Sequence, residues 1–340
     1  MIKQPYLLFL GDAPDRLAAK VAQGICDWRP EAAIGQYRMA GCAADMRIPD
    51  MSIAEAREAG AETLVIGVAN RGGVIADSWM AVLEEALAAG LDIASGLHNL
   101  LTDEPRLVRA ARKFGRELHD VRTPVIDYPI ANGRKRTGRR CLAVGTDVSV
   151  GKMYVSLAMQ REMLRRGLKA SFRATGQTGI FVAGEGVPLD AVVADFMAGA
   201  VEWLSPDNDD DHWDFIEGQG SLFHASYSGV TLALVHGGQP DAIILCHEPG
   251  RPHMRGLPDY QLPELERLCE VVLTMAHIVN PACRAVGVSV NTSRFSQEEA
   301  RQCLQDAEAR TGLPATDPIR FGAEALVDAL LSESNGETLR

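Results

Sequence analysis

Cys141 to Arg166 reads CLAVGTDVSVGKMYVSLAMQREMLRR. The apolar run Cys141 to Val144 predicts a strand, which breaks into a loop opened by Gly145 and closed by Gly151 and Lys152. Val155, Met159 and Met163 then recur at the spacing of one helix face, and Gly167 ends the helix. Strand, glycine loop, helix is the order a phosphate-binding loop requires. Successive backbone N–H groups and the positive end of the helix dipole converge on an anion, and a lysine adds a full charge. The cradle is read as Gly145, Thr146, Asp147, Val148, Ser149, Val150, Gly151, Lys152 and Met153, with Lys152 expected to face solvent and anion instead of core. The plainer reading is an ordinary glycine turn. Two details depart from the common pattern: one extra residue separates the glycines, and Met153 stands where a nucleotide hydrolase places the hydroxyl that holds Mg²⁺. The loop keeps an anion site and loses a metal ligand.

At 340 residues the chain is longer than one usual core supports, so two domains are expected. With 34 basic and 45 acidic residues the net charge is −11, which disfavours nonspecific binding to nucleic acid or an anionic membrane. Seven cysteines without a CxxC pair, and a first stretch MIKQPYLLFLGD that runs straight into a strand, point to a reducing cytoplasm. No uninterrupted apolar stretch is long enough to span a bilayer. Homo-oligomerisation is left open.

Upstream of the glycine loop, Tyr6 to Leu10 predicts a strand, followed by a helix through Leu17, Val21 and Ile25. Thr63 to Val68 predicts a second strand, entering a turn at Arg71, Gly72 and Gly73 and then a helix from Ser78 to Ala89; Asp92 to Ser95 is a third strand. This alternation argues for a parallel sheet covered by helices, a Rossmann-like domain over 1–128. Its loops at Asn70 to Val74 and Ser95 to Asn99 either face a nucleotide-like moiety or are simple turns, since no full GxGxxG is present. Residues 129–140, rich in glycine and basic side chains, read as an exposed linker; alternatively Arg134, Lys135 and Arg139 hold a ligand phosphate. The second domain is placed at 141–340.

In that domain Ala170 to Ala174 predicts a strand leading into Thr175, Gly176, Gln177, Thr178 and Gly179, small residues that permit close approach to a ligand. Val192 to Val201 carry helical spacing, and the acidic run Asp207 to His212 reads as a solvated loop rather than a metal site. Asp214 to Ser221 is a strand whose Glu217 meets a glycine turn, with His224 beyond it. Gly229 to Val235, Asp241 to Cys246, Val271 to Met275 and Ala285 to Val290 read as further strands, and Gln297 to Arg310 as a helix. The segment HEPGRPHMRG gathers His247, Glu248, Arg251, His253 and Arg255 between prolines, as either a functional loop or an interdomain salt-bridge cluster.

GTDVSVGK, TGQTG, EGQGS and VGVSVNTS followed by GLPATDP make the second domain resemble the dethiobiotin synthetase-like branch of P-loop proteins. The whole chain resembles the DUF1611 family, in which a Rossmann-like domain with a stretch like VIGVANRGGVIADSWMAVLEEALAAGLDIASGLH precedes such a P-loop domain. That resemblance implies an α/β protein with a Rossmann-like N-terminal domain and a doubly wound, P-loop NTPase-like C-terminal domain. Members of the family include D-glutamate N-acetyltransferases, so it also implies acetyl transfer from acetyl-CoA to the amine of an amino acid, D-glutamate foremost. A diphosphate that is held and not cleaved suits a loop lacking the Mg²⁺ hydroxyl. An ATP-dependent ligase or kinase using Mg²⁺ is the competing reading, and Met153 speaks against it. Acyl transfer to an amine needs a base, for which Glu217, His247 and Glu248 are the first candidates and His224 a further one. A dicarboxylate needs arginine forks, for which Arg173, Arg251 and Arg255 are available, with Thr175 and Gln177 beside them. No metal ligand is assigned.

Overall fold

In a computed structural model, which describes residues 2–70 and 72–332, the chain divides into two compact units, 2–125 with 176–191, and 126–175 with 192–332. Arg71, placed above in a glycine turn, lies outside the described residues.

The first unit runs Tyr6–Gly11 (β1), Lys20–Trp28 (α1), Ala33–Arg38 (β2), Ile53–Glu58 (α2), Thr63–Ile66 (β3), Met80–Ala88 (α3), Asp92–Ser95 (β4), Pro105–Phe114 (α4) and Leu118–Asp120 (β5). Its strands form one parallel sheet in the order β2-β1-β3-β4-β5. Strand side chains alternate between faces. Leu7, Phe9, Leu64, Ile66 and Ile93 bury themselves against α2, α3 and α4, while Tyr6, Leu8, Leu10, Val65 and Ala94 meet α1 on the other side. β2 and β5 escaped sequence reading: AIGQYR and LHD are short edge strands without a clear apolar alternation.

The second unit contains Arg139–Gly145 (β6), Lys152–Arg165 (α5), Ala170–Arg173 (β7), then, after the excursion Gln177–Ala183 (α6) into the first unit, Ala194–Leu204 (α7), Trp213–Ile216 (β8), Ser228–Gly238 (α8), Ala242–His247 (β9), Leu265–Val279 (α9), Arg284–Val290 (β10), Gln297–Thr311 (α10), Ala315–Thr316 (β11) and Glu324–Leu331 (α11). The sheet order is β11-β10-β9-β6-β8-β7, all parallel. β6 therefore lies at the point where the strand order reverses, between β8 and β9, and ligands of open α/β sheets bind outside the carboxyl ends of strands at such a point.

Five expectations need correction. Gly229 to Val235 lies within helix α8, and Val271 to Met275 within α9, not in strands. α8 packs against both α7 and α9, so apolar residues surround it and its sequence carries no one-sided helical stripe. Residues 129–140 are mostly exposed, as expected of a linker, but two of their arginines are tied into the second unit. Arg136 and Arg140 are 6% and 1% exposed, and Arg136 donates to the carbonyls of Glu202, Ser205 and Gly238 while Arg140 donates to Ser205 Oγ and Pro206 O. Nor do the basic side chains of that segment reach the phosphate loop: Arg134 pairs with Asp207, Lys135 with Asp241, and Arg139 lies over the Trp213 ring, all about the amino end of β6. Finally, residues 176–191 belong to the first unit, because Phe181 is buried among the side chains of β1 and α1 and Arg29 donates to Val182 O at 2.8 Å.

Candidate active site

The glycine loop joins β6 to α5 as expected. Ser149 at φ 55° and Gly151 at φ 103° adopt left-handed geometry within the loop. Gly145 has no room for a side chain, since a Cβ there would stand 2.7 Å from Val150 Cγ2. Lys152 opens α5 but does not face solvent: it is 6% exposed and its ammonium donates to Asp147 O at 2.8 Å. Burial pushes its pKa down to about 8. A buried cation hydrogen-bonded to one carbonyl is under-compensated, which is why its charged form is disfavoured.

Two further strand ends complete the site. Beyond β8, Glu217 is 4% exposed and its Oε2 accepts from the Thr175 N–H at 2.9 Å, while Thr175 Oγ1 donates to Glu217 O at 2.7 Å. Thr175 thus orients the carboxylate. Gly218 follows, with a hypothetical Cβ 2.8 Å from Lys152 Cδ, so the β8 turn lies directly against the lysine stem. At the end of β9, His247 Nδ1 lies 3.1 Å from Thr146 Oγ1, and Thr146 N–H donates to Cys246 O at 3.0 Å.

The loop His247 to Arg255 folds back on the cradle. Asp147 is fully buried and its carboxylate accepts from Val148 N–H (2.7 Å), Arg255 N–H (2.8 Å) and the Arg251 guanidinium (2.6 Å). Arg251 also donates to Val148 O, Ser149 O and Glu248. Arg294, which sequence reading passed over, sits 3.3 Å from the other Glu248 oxygen. Its place after β10, at another strand carboxyl end, was the available signal.

The geometry sorts the candidate bases. His224 is 2% exposed, its Nδ1 accepts from Ser226 N–H and its Nε2 lies 3.1 Å from Arg255 O, so both ring nitrogens are engaged with backbone. Glu248 is held by two arginines. Burial, with Arg310 and Arg251 nearby, pushes His247 down to about 4, so it is neutral at physiological pH. The sign gives a prediction. As pH falls below the ordinary value of 6.5 the unfolded chain gains a proton that the folded one refuses, so stability is lost between about 6.5 and about 4. Chemical denaturation at pH 7 and pH 5 should show a larger loss for the parent protein than for His247→Asn; equal losses would mean that His247 titrates normally.

Two of the expected substrate contacts also have partners within the protein. Arg173 donates to Asp214 at 2.9 Å, a carboxylate with a 2% exposed side chain that needs a counter-charge. Gln177 belongs to the first unit, where its amide donates to Gly96 O at 2.7 Å and accepts from Arg122 at 3.0 Å. In the acidic run, Asp207 pairs with Arg134, and Asp209 and Asp211 with Lys169. In the first unit Asp92, Glu117 and His119 cluster within 4.8 Å, yet Lys3 already sits on Asp92 at 2.9 Å. Among the described residues no helix is long and apolar enough to cross a membrane.

A doubly wound sheet with a lysine-bearing glycine loop at its switch point defines a P-loop domain, here joined to a second parallel α/β unit. The chain belongs to the DUF1611 family: its residues 129–327 match the domain of unknown function described as the DUF1611_C P-loop domain, and 37–124 the DUF1611_N Rossmann-like domain. It is 66% identical to a D-glutamate N-acetyltransferase of Tritonibacter scottomollicae, over 97% of this chain and 99% of that one. It is 45% identical to a protein of the same name from a Pseudoalteromonas species, over 96% and 98% of the two chains. A crystal structure of a DUF1611 family protein from Anabaena variabilis superposes with a TM-score of 0.89 at 33% identity, covering 97% of this chain and all of that one. The chain is an enzyme, an acyltransferase of the N-acetyltransferase class.

Proposed function

We propose that this enzyme moves the acetyl group of acetyl-CoA to the amine of D-glutamate. The observation that carries the donor assignment is the cradle itself, in which a buried lysine and an amide nest are followed by Met153 instead of a metal-binding hydroxyl. Such a loop suits a diphosphate that is gripped and left intact, as in the ADP part of coenzyme A. The relatives' names supply the acceptor. Glu217 takes the proton as the amine attacks the thioester carbonyl; the C–N bond forms, the C–S bond breaks, and coenzyme A leaves with its sulfur reprotonated. Glu217 is assigned this role from its place: it lies at the carboxyl end of β8, beside the Gly218 turn that packs on the Lys152 stem, with its carboxylate oriented by the Thr175 N–H. Seven unpaired cysteines support a reducing cytoplasm as the compartment.

The test is an assay of thiol release from acetyl-CoA in the presence of D-glutamate, with and without EDTA. Activity is expected to survive chelation, since a thioester needs no Lewis acid to acylate a neutral amine. Loss on chelation restored by Mg²⁺, together with calorimetric binding of ATP but not acetyl-CoA, would favour an ATP-dependent ligase or kinase instead.

A further inference from the structure

We propose that Arg251 does not grip the substrate: it is a positioning residue that orients the amides of the phosphate cradle, and it leaves Arg255 to bind an acceptor carboxylate. This deepens the acetyl-CoA reading and rests on it for the identity of the donor. A guanidinium has five N–H donors. In Arg251 Nε–H goes to Glu248 Oε2 at 2.9 Å, one terminal nitrogen goes to Asp147 Oδ2 at 2.6 Å and Val148 O at 2.9 Å, and the other goes to Ser149 O at 2.8 Å and Glu248 Oε2 at 2.5 Å. Five donors meet five contacts, and the side chain is 10% exposed. A substrate carboxylate that took this fork would have to unseat two carboxylates and two carbonyls.

What those contacts do follows from the peptide plane. In a trans peptide the C=O of one residue and the N–H of the next point in opposite directions. Holding Val148 O and Ser149 O against Arg251 therefore turns the N–H groups of Ser149 and Val150 away from it, to the opposite side of the loop. Ser149 is a non-glycine residue at positive φ, a conformation that costs energy unless its surroundings hold it, and Arg251 supplies that hold from both of the flanking carbonyls. Glu248 and Asp147 in turn fix the guanidinium, and with Arg294 on the other Glu248 oxygen two guanidinium charges face the two carboxylates beside the loop. Arg255 contrasts with this. Its backbone is pinned by Asp147 and His224, while its side chain is exposed and its guanidinium meets no acceptor among the described residues. That is a fixed base carrying a fork still to be filled.

The experiment compares Arg251→Lys and Arg255→Lys by calorimetry with coenzyme A and by kinetics with acetyl-CoA and D-glutamate varied in turn. Lysine keeps the charge and cannot bridge two carbonyls and two carboxylates at once. Arg251→Lys is expected to weaken coenzyme A about 10- to 100-fold, with the KM for D-glutamate within about 2-fold of the parent. Arg255→Lys is expected to show the reverse split. A raised KM for D-glutamate with unchanged coenzyme A affinity in Arg251→Lys overturns the proposal, as does equal damage to both substrates. Arg251→Gln is the second variant, with the same split expected and thermal melting as the control for folding. If the parent protein binds ATP and not coenzyme A, the donor assignment fails on its own, and the Arg251 comparison is read with ATP by the same criteria.

Discussion

Lys152→Ala is expected to fold and to lose the acetyl donor. Removing a buried cation from an anion site costs about 2–4 kcal/mol, or ~30- to 1000-fold in affinity. Stability should change little, because two effects oppose each other. The lysine stem and its bond to Asp147 O are lost, but so is a charge that the fold disfavours, as its lowered pKa of about 8 records. The sign is opposite to that of a salt-bridged lysine: the penalty is fully present below about pH 8 and fades as pH rises toward the ordinary 10.5. The melting temperature at pH 7 should therefore stay within about 3 °C of the parent. In the parent protein donor affinity should weaken as pH rises past about 8, where the free enzyme's lysine loses its proton, and this dependence should vanish in the variant. Calorimetry with coenzyme A at pH 7 and pH 9 checks both points; donor affinity equal to the parent's at pH 7 would remove the phosphate-cradle reading.

Gly218→Ala should be severely damaging for so small a substitution. A Cβ at this position stands 1.7 Å from Ala143 O, a backbone atom of the neighbouring strand, and cannot be accommodated by rotating a side chain. Either the β8 end or the β6 end must move, and β6 feeds the cradle. We expect a loss of about 3 kcal/mol or more, which lowers the melting transition by roughly 6–12 °C, with activity lost alongside it. Gly229→Ala is the control: it lies in α8 with nothing within 4 Å of the added carbon, so it should be neutral or slightly stabilising. A melting temperature for Gly218→Ala equal to that of Gly229→Ala would show that the two strand ends are not packed as described.

Much of this enzyme can be read from its residues alone. GTDVSVGK announces its job because a nest of amides requires glycine at special conformations and a lysine at a helix start, which are local requirements. β6, β7, β9 and β10 are equally legible as short apolar runs ended by turn residues. α8 is not: a helix enclosed on most sides needs no polar face, so its sequence loses the period that separates helix from strand. α9 does carry a one-sided stripe, Leu265, Leu268, Val272 and Ala276, which the apolar run Val271 to Met275 masks. Nor is the fate of the basic segment before β6 legible. Arg136 and Arg140 look solvated in sequence and are buried because the carbonyl ends of two helices wait for them in three dimensions.

The same division runs through the site. The sequence by itself determined which chemistry was present: an anion cradle without its metal hydroxyl, carboxylates and histidines at strand ends, and arginines in a proline-stiffened loop. Only the tertiary structure decided which of these groups remains available. Arg173 gives its Nε–H to Asp214, Gln177 is held in the first unit, Arg251 is consumed by Asp147, Glu248 and the loop carbonyls, and His224 by backbone. Residue type sets what a side chain can donate or accept, whereas burial and the competing partners brought by distant segments set whether any of that capacity is left for a ligand.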